Sequence, residues 1–194
     1  MQDMMDRMDL AYPIPLRFEL ALRKRIKMLK LAPEEHLPHP AWNDSIVYIK
    51  TGLMKETCTY KGKLEKLYFA HAGDYFLHST AQSQEKKGEI VRLTAIDNCQ
   101  LYCIGKQEFP TLLETFDPGF KLQHEDAVEE TSTRWLMRSI LLDQDPAARL
   151  RFLCQRFPRL MRRAKKEDIA ACMGIEVAAL DVLLLDDEKK KTKK

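Results

Sequence analysis

Five short runs between Ser45 and Gly105, namely SIVYIKTG, LMKETCTY, KLEKLYFA, EIVRLTAI and QLYCIG, constrain the fold more than any other part of the chain. Each is rich in Val, Ile, Tyr, Leu and Thr, residues that suit a pleated, half-buried surface, and the runs recur about every ten residues. Gly52, Gly62, Gly73, Gly88 and Gly105 punctuate them. This texture predicts a compact antiparallel β-barrel or jelly roll with flanking helices, an α+β fold. The segment YKGK at 60 to 63 predicts a hairpin turn in which Gly62 supplies positive φ.

Helical patterns surround this core. PLRFELALRKRIKMLKL, residues 15 to 31, places Leu16, Leu20, Ile26 and Leu29 among basic residues and predicts one or two amphipathic helices. Residues 32 to 43 hold three prolines and a tryptophan, which break helix. KQEFPTLLETF predicts one or two short helices, and the stretch from Phe120 to Leu142, free of Gly and Pro, predicts a long one. Along it Val128, Trp135 and Leu142 fall seven apart, with Leu136 and Ile140 beside them. Such a stripe forms either a dimer seam or a face packed on the chain's own barrel. After DQDP, a basic helix with an apolar side runs toward Pro158, carrying Arg149, Arg151 and Arg156.

The C-terminal stretch KKEDIAACMGIEVAALDVLLL has the spacing of a helix-turn-helix. Two short helices crossing steeply need a small residue at their contact and a glycine in the turn, places that Ala170 and Gly174 fit. Ile169, Met173, Ile175, Leu180 and Leu183 then fall at core offsets. Any αα-hairpin would share much of this pattern. The second helix, however, presents Val177, Ala178, Asp181 and Val182 where a base-reading helix carries Arg, Lys, Asn, Gln, Glu or Ser.

Composition excludes several classes. With 45% hydrophobic and 31% charged residues over 194 positions, the chain is an ordinary globular one. No apolar run reaches the roughly 18 residues of a membrane span, and the acidic N-terminus lacks a signal peptide's pattern, so a cytoplasmic location is expected. Five cysteines fit free thiols. Cys99 and Cys103, four apart on a strand, are about 13 Å apart, too far for one metal ion. His36 and His39 sit in a Pro-rich loop, and no metal or cofactor is expected. The formal charge is only +3, but the last six residues are KKKTKK, so polyanion affinity would concentrate at that end, unless the run is simply a solvated tail.

Barrel, glycine-bounded turns, long helix and terminal helix-turn-helix, in this order, resemble the Crp/Fnr superfamily of bacterial transcription regulators. IVYIKTGLMK resembles its strand-Gly-strand signature, YFAHAGDYF its turn at Gly73 and Asp74, and EIVRLTAIDNCQLYCI its closing strands. ARLRFLCQRFPRLMRRAKKEDIAACMGI is similar to the DNA-binding half. The resemblance implies a cyclic-nucleotide-binding-like barrel with N-terminal helices over 1–118, a dimerisation helix over 119–142, and a winged helix-turn-helix domain with a lysine tail over 143–194. It also implies departures. Leu77 and His78 occupy the places of the Gly-Glu pair that holds ribose, and Glu89 the place of the phosphate-neutralising Arg. A carboxylate facing a phosphate is repulsive, so cyclic nucleotides are not expected to bind. Clustered N-terminal cysteines for an iron-sulfur cluster are missing too.

The expected function is a homodimeric transcription regulator with weak or altered sequence readout, in which Arg162, Arg163, Lys165, Lys166, Lys189, Lys190 and Lys191 hold DNA phosphates. A small-molecule effector other than a cyclic nucleotide is compatible with it. The competing expectation is a module that keeps the fold without DNA binding and uses Val177, Val182 and Leu185 for protein interaction or senses a small ligand. No nucleophile, base and orienting acid occur at a spacing that suggests an enzyme.

Overall fold

The computed structural model describes residues 4, 15–37, 45–77, 89–105, 108–116, 144–157 and 159–192. Helix α1 (Leu16–Arg25) is followed by seven strands: β1 (Lys27–Leu31), β2 (Ser45–Thr51), β3 (Leu53–Tyr60), β4 (Lys63–His71), β5 (Tyr75–Leu77), β6 (Glu89–Ala95) and β7 (Cys99–Gly105). Helices α2 (Glu108–Phe116), α3 (Pro146–Arg156), α4 (Leu160–Arg163), α5 (Lys166–Met173) and α6 (Val177–Thr192) follow among the described residues. One sheet has the order β1-β7-β2-β5 and the other β4-β3-β6, all pairings antiparallel.

All five runs read as strands form strands. The β3–β4 turn has positive φ at both Lys61 and Gly62, the pattern of a two-residue hairpin whose twist matches its strands. The expectation for 15 to 31 requires correction at its second half. Helix α1 stops at Arg25, Ile26 is extended, and KMLKL is a strand paired with β7 in the register Lys27↔Cys103 to Leu31↔Cys99. Pairing with the edge of β7 outweighs the helix propensity of these five residues.

On β3 and β4, alternation sends apolar residues to two places. Val47, Ile49, Leu101 and Cys103 of the first sheet meet Met54, Ala70, Leu93 and Ala95 of the second in one buried core between the sheets. Leu53, Leu67 and Phe69 face the other way, into a second core built with Leu150, Leu153, Phe157, Leu160, Ile169, Met173 and Leu180 of the C-terminal helices. The Phe69 and Phe157 rings meet edge to face with centroids 6.0 Å apart. The outer face of the second sheet is thus the floor on which α3 to α6 rest.

The long helix expected over 119–142, with Val128, Trp135 and Leu142, lies outside the described residues. The winged part of the C-terminal expectation needs correction: α6 continues as helix to Thr192, and no strand follows α3 among the described residues.

Candidate nucleic-acid interface

The glycine turn at 174 builds the C-terminal helix pair. Gly174 is left-handed (φ 66, ψ 35), and the Ile175 amide donates back to the Ala170 carbonyl at 3.1 Å, satisfying the end of α5. Arg149 of α3 adds a cation there, donating from Nη1 to the Met173 carbonyl at 2.7 Å and from Nε to the Gln144 carbonyl at 2.7 Å. Ile169, Ala170, Met173 and Leu180 are buried, and Ile175 and Leu183 pack against them, as the offsets predict. Acidic Glu167 and Asp168 stand in the first turn of α5, where the helix dipole favours them.

On α6, Ala178 is exposed and Val182 is 58% exposed, while Val177 is half-buried against the core. Leu185, one turn further, is 55% exposed. Asp181 accepts from Lys166 Nζ at 2.5 Å, closing an ion pair between the two helices. That hydrogen bond raises the Lys166 ammonium above its usual range. Asp181 therefore presents a compensated charge rather than a bare carboxylate, and Lys166 is already engaged.

The other expected phosphate contacts divide. Arg162 is exposed and forms no ion pair among the described residues. Arg163 donates from Nε to Asp97 Oδ2 at 2.7 Å, and its Nη2 reaches the same oxygen. Lys165 pairs with Glu34 at 2.9 Å, a contact that lowers the glutamate and raises the lysine relative to their ordinary values. Lys189, Lys190 and Lys191 belong to the last turns of α6, and their side chains lie outside the described part of the structure.

Gly73 and Asp74 form a turn at φ 96 on the glycine. Asp74 is buried; its Oδ2 accepts the His71 amide at 2.8 Å and its Oδ1 faces Arg156 Nη2. Arg156 Nη1 meets His71 Nε2. Because guanidinium only donates, Nε2 accepts there, and Nδ1 donates to the Ala72 carbonyl at 2.7 Å. Leu77 pairs with Ile46 at the end of β5, and Glu89 pairs with Tyr60 at the start of β6. Their side chains, and all of His78, lie outside the described residues.

Sequence reasoning missed this polar seam. Arg156 to Asp74, Arg163 to Asp97, and Lys55 to Asp168 at 2.6 Å join residues 82, 66 and 113 positions apart, so no local spacing could pair them. The one available signal was Asp74 beside a glycine turn, which the family resemblance directs to a ligand instead of to α3.

No group of three or more His, Cys, Asp and Glu that could hold a metal occurs among the described residues. Burial pushes the thiols of Cys99 and Cys103 up to about 11 and that of Cys172 up to about 12, so these sulfurs are protonated and poor ligands at neutral pH. No described helix is long and apolar enough to cross a membrane.

With its two antiparallel sheets and the C-terminal helices that follow them, the chain shares its fold with solved structures of Crp/Fnr-type regulators. Among solved structures, the chain is similar to the c-di-GMP-responsive global regulator CLP of Xanthomonas campestris, with TM-score 0.62 and 14% identity over 91% of this chain and 93% of that one. It is similar to FixK2 of Bradyrhizobium japonicum, with TM-score 0.63 and 12% identity over 86% of each chain. A Crp/Fnr family regulator from Eubacterium rectale gives TM-score 0.59 and 12% identity over 93% of this chain and 88% of that one. No protein-family model matches the chain, and no curated protein matches it in sequence.

Proposed function

We propose that the chain is a DNA-binding transcription regulator of the Crp/Fnr type, acting as a homodimer through residues 120–142. In this reading α5 and α6 are the helix-turn-helix and the division at 118 and 142 marks its domains. The observation that carries it is the pair α5–α6 turned at left-handed Gly174 within a fold shared with named regulators. The exposed positions of α6, Ala178 and Val182, offer no hydrogen bond to a base edge. A bidentate contact contributes about 1–3 kcal/mol of discrimination, so its lack supports weak sequence preference. Cyclic nucleotides are not the effector in this reading, because the family resemblance assigns Glu89 to the position of the phosphate-neutralising cation.

A salt titration tests it. Binding to unrelated duplexes should be similar in strength and fall steeply between about 50 and 200 mM salt. A footprint on one operator that survives 200 mM salt, and is lost on replacing Val182, would overturn the weak-readout reading. Calorimetry showing micromolar cyclic AMP affinity would remove the claim about the effector. Sedimentation as a monomer at tens of micromolar would remove the dimer.

One observation favours the second reading, a protein-interaction module without DNA binding. Val182 and Leu185 form an exposed apolar pair on α6 while three of the expected phosphate cations are occupied. Failure to bind any duplex at 50 mM salt would decide for it.

A further inference from the structure

Three carboxylates of the two-sheet body, Glu34, Asp74 and Asp97, each hold a cation of the C-terminal helices: Lys165, Arg156 and Arg163 respectively. They differ in depth. Asp74 is only 5% exposed and its arginine packs over the Phe157 ring, at 5.2 Å from the centroid, so this pair is an anchor beside the shared core. Arg163–Asp97 has side chains 29% and 37% exposed, and Lys165–Glu34 has 64% and 59%. These two lie at the rim.

We infer that Glu34 and Asp97 are intramolecular competitors of nucleic-acid phosphate: they occupy Lys165 and Arg163 in the free protein and must yield them for polyanion to bind. The inference rests on the proposed DNA binding of the C-terminal helices. The physical case is a difference in strength. An exposed ion pair is weak, whereas a duplex offers dense phosphate and releases counterions when cations bind it. Exchange of partner therefore favours DNA at low salt, but each exchanged cation first gives up a carboxylate. Arg156 need not move, since Asp74 and the apolar core keep α3 on the sheet while the rim side chains swing. Asp97 is held in place to compete, because its Oδ1 is fixed by the Leu53 amide at 2.8 Å, which aims Oδ2 at Arg163. Glu34 is held at φ 65 in a turn whose amide donates to the Ala95 carbonyl at 2.8 Å.

Affinity of the full chain for one arbitrary duplex at about 50 mM salt is the measurement, on the wild type, Asp97→Asn and Glu34→Gln. Asparagine keeps the acceptor for the Leu53 amide, so the turn survives. Each substitution should tighten binding roughly two- to fivefold, and the two together should multiply. Removal of a negative charge alone would also tighten binding, and the backgrounds Arg163→Ala and Lys165→Ala separate the causes. The gain from Asp97→Asn should vanish in Arg163→Ala, and that from Glu34→Gln in Lys165→Ala. Equal gains in those backgrounds, or no gain in the wild type, would overturn competition while leaving DNA binding intact. If neither the wild type nor any variant binds duplex, the DNA-binding reading falls and this inference with it.

Discussion

Gly52 and Gly174 both stand at positive φ, yet a side chain at each meets a different fate. A Cβ on Gly52 would lie 2.4 Å from Cys99 Sγ and 2.9 Å from the Asn98 carbonyl oxygen, so backbone strain and collision add. At Gly174 the nearest atom is Arg149 Nη1 at 3.9 Å, and only the left-handed backbone resists. Gly52→Ala should therefore cost about 3 kcal/mol or more and Gly174→Ala about 1–2 kcal/mol, read as shifts of the urea midpoint. Equal costs would mean that the Cys99 contact relaxes freely. The Glu34–Lys165 pair predicts a pH signature. Its hydrogen bond lowers Glu34, so that group's contribution is present above the ordinary carboxylate range and lost as pH falls through the depressed value. It raises Lys165, whose contribution is full below the ordinary lysine range and lost as pH rises through the raised value. Wild type and Glu34→Gln should thus differ in stability by a constant amount around neutrality, the difference shrinking at both extremes. A difference that grows on acidification would contradict the pairing.

At the scale of elements, legibility followed the strength of local pattern. The strands β2, β3, β4, β6 and β7 were plain because enrichment in Val, Ile, Tyr, Leu and Thr agrees with the glycine punctuation around each run. Strand β1 was not, because Leu16 to Leu31 offers one continuous stretch without Gly or Pro, and its change from helix to strand is decided by the distant edge of β7. Helices α5 and α6 were legible from Ala170, Gly174 and the apolar offsets, but the support beneath their turn was not. Arg149 is one of six arginines between 149 and 163, and nothing local distinguishes the one that caps α5 from those that face water. Arg149→Ala should lower stability by roughly 1–2 kcal/mol, whereas Arg162→Ala should leave thermal unfolding nearly unchanged. The reverse ranking would mean that the carbonyl at the end of α5 does not depend on this cation.

On the scale of the whole molecule, the shared core makes the second sheet and the C-terminal helices one mechanical unit. Phe157 is fully buried against Phe69 of β4, so Phe157→Ala should cost about 3–5 kcal/mol. Unfolding should remain a single transition, with probes on the sheets and on α5 melting together in wild type and variant alike. Two separated transitions would show that the core does not couple them. This coupling was the least legible feature, since Leu53, Leu67 and Phe69 look like ordinary inward strand residues until the helices that cover them are in place. It also bears on ancestry. A two-sheet body and a helical tail are readily imagined as interchangeable parts, but here a recombination event that cut the gene between the last strand and α3 would deliver a sheet body with a greasy outer wall. Such a fragment would need polar replacements at Leu53, Leu67 and Phe69 before it could survive alone, so the two halves of this protein are bound to evolve together.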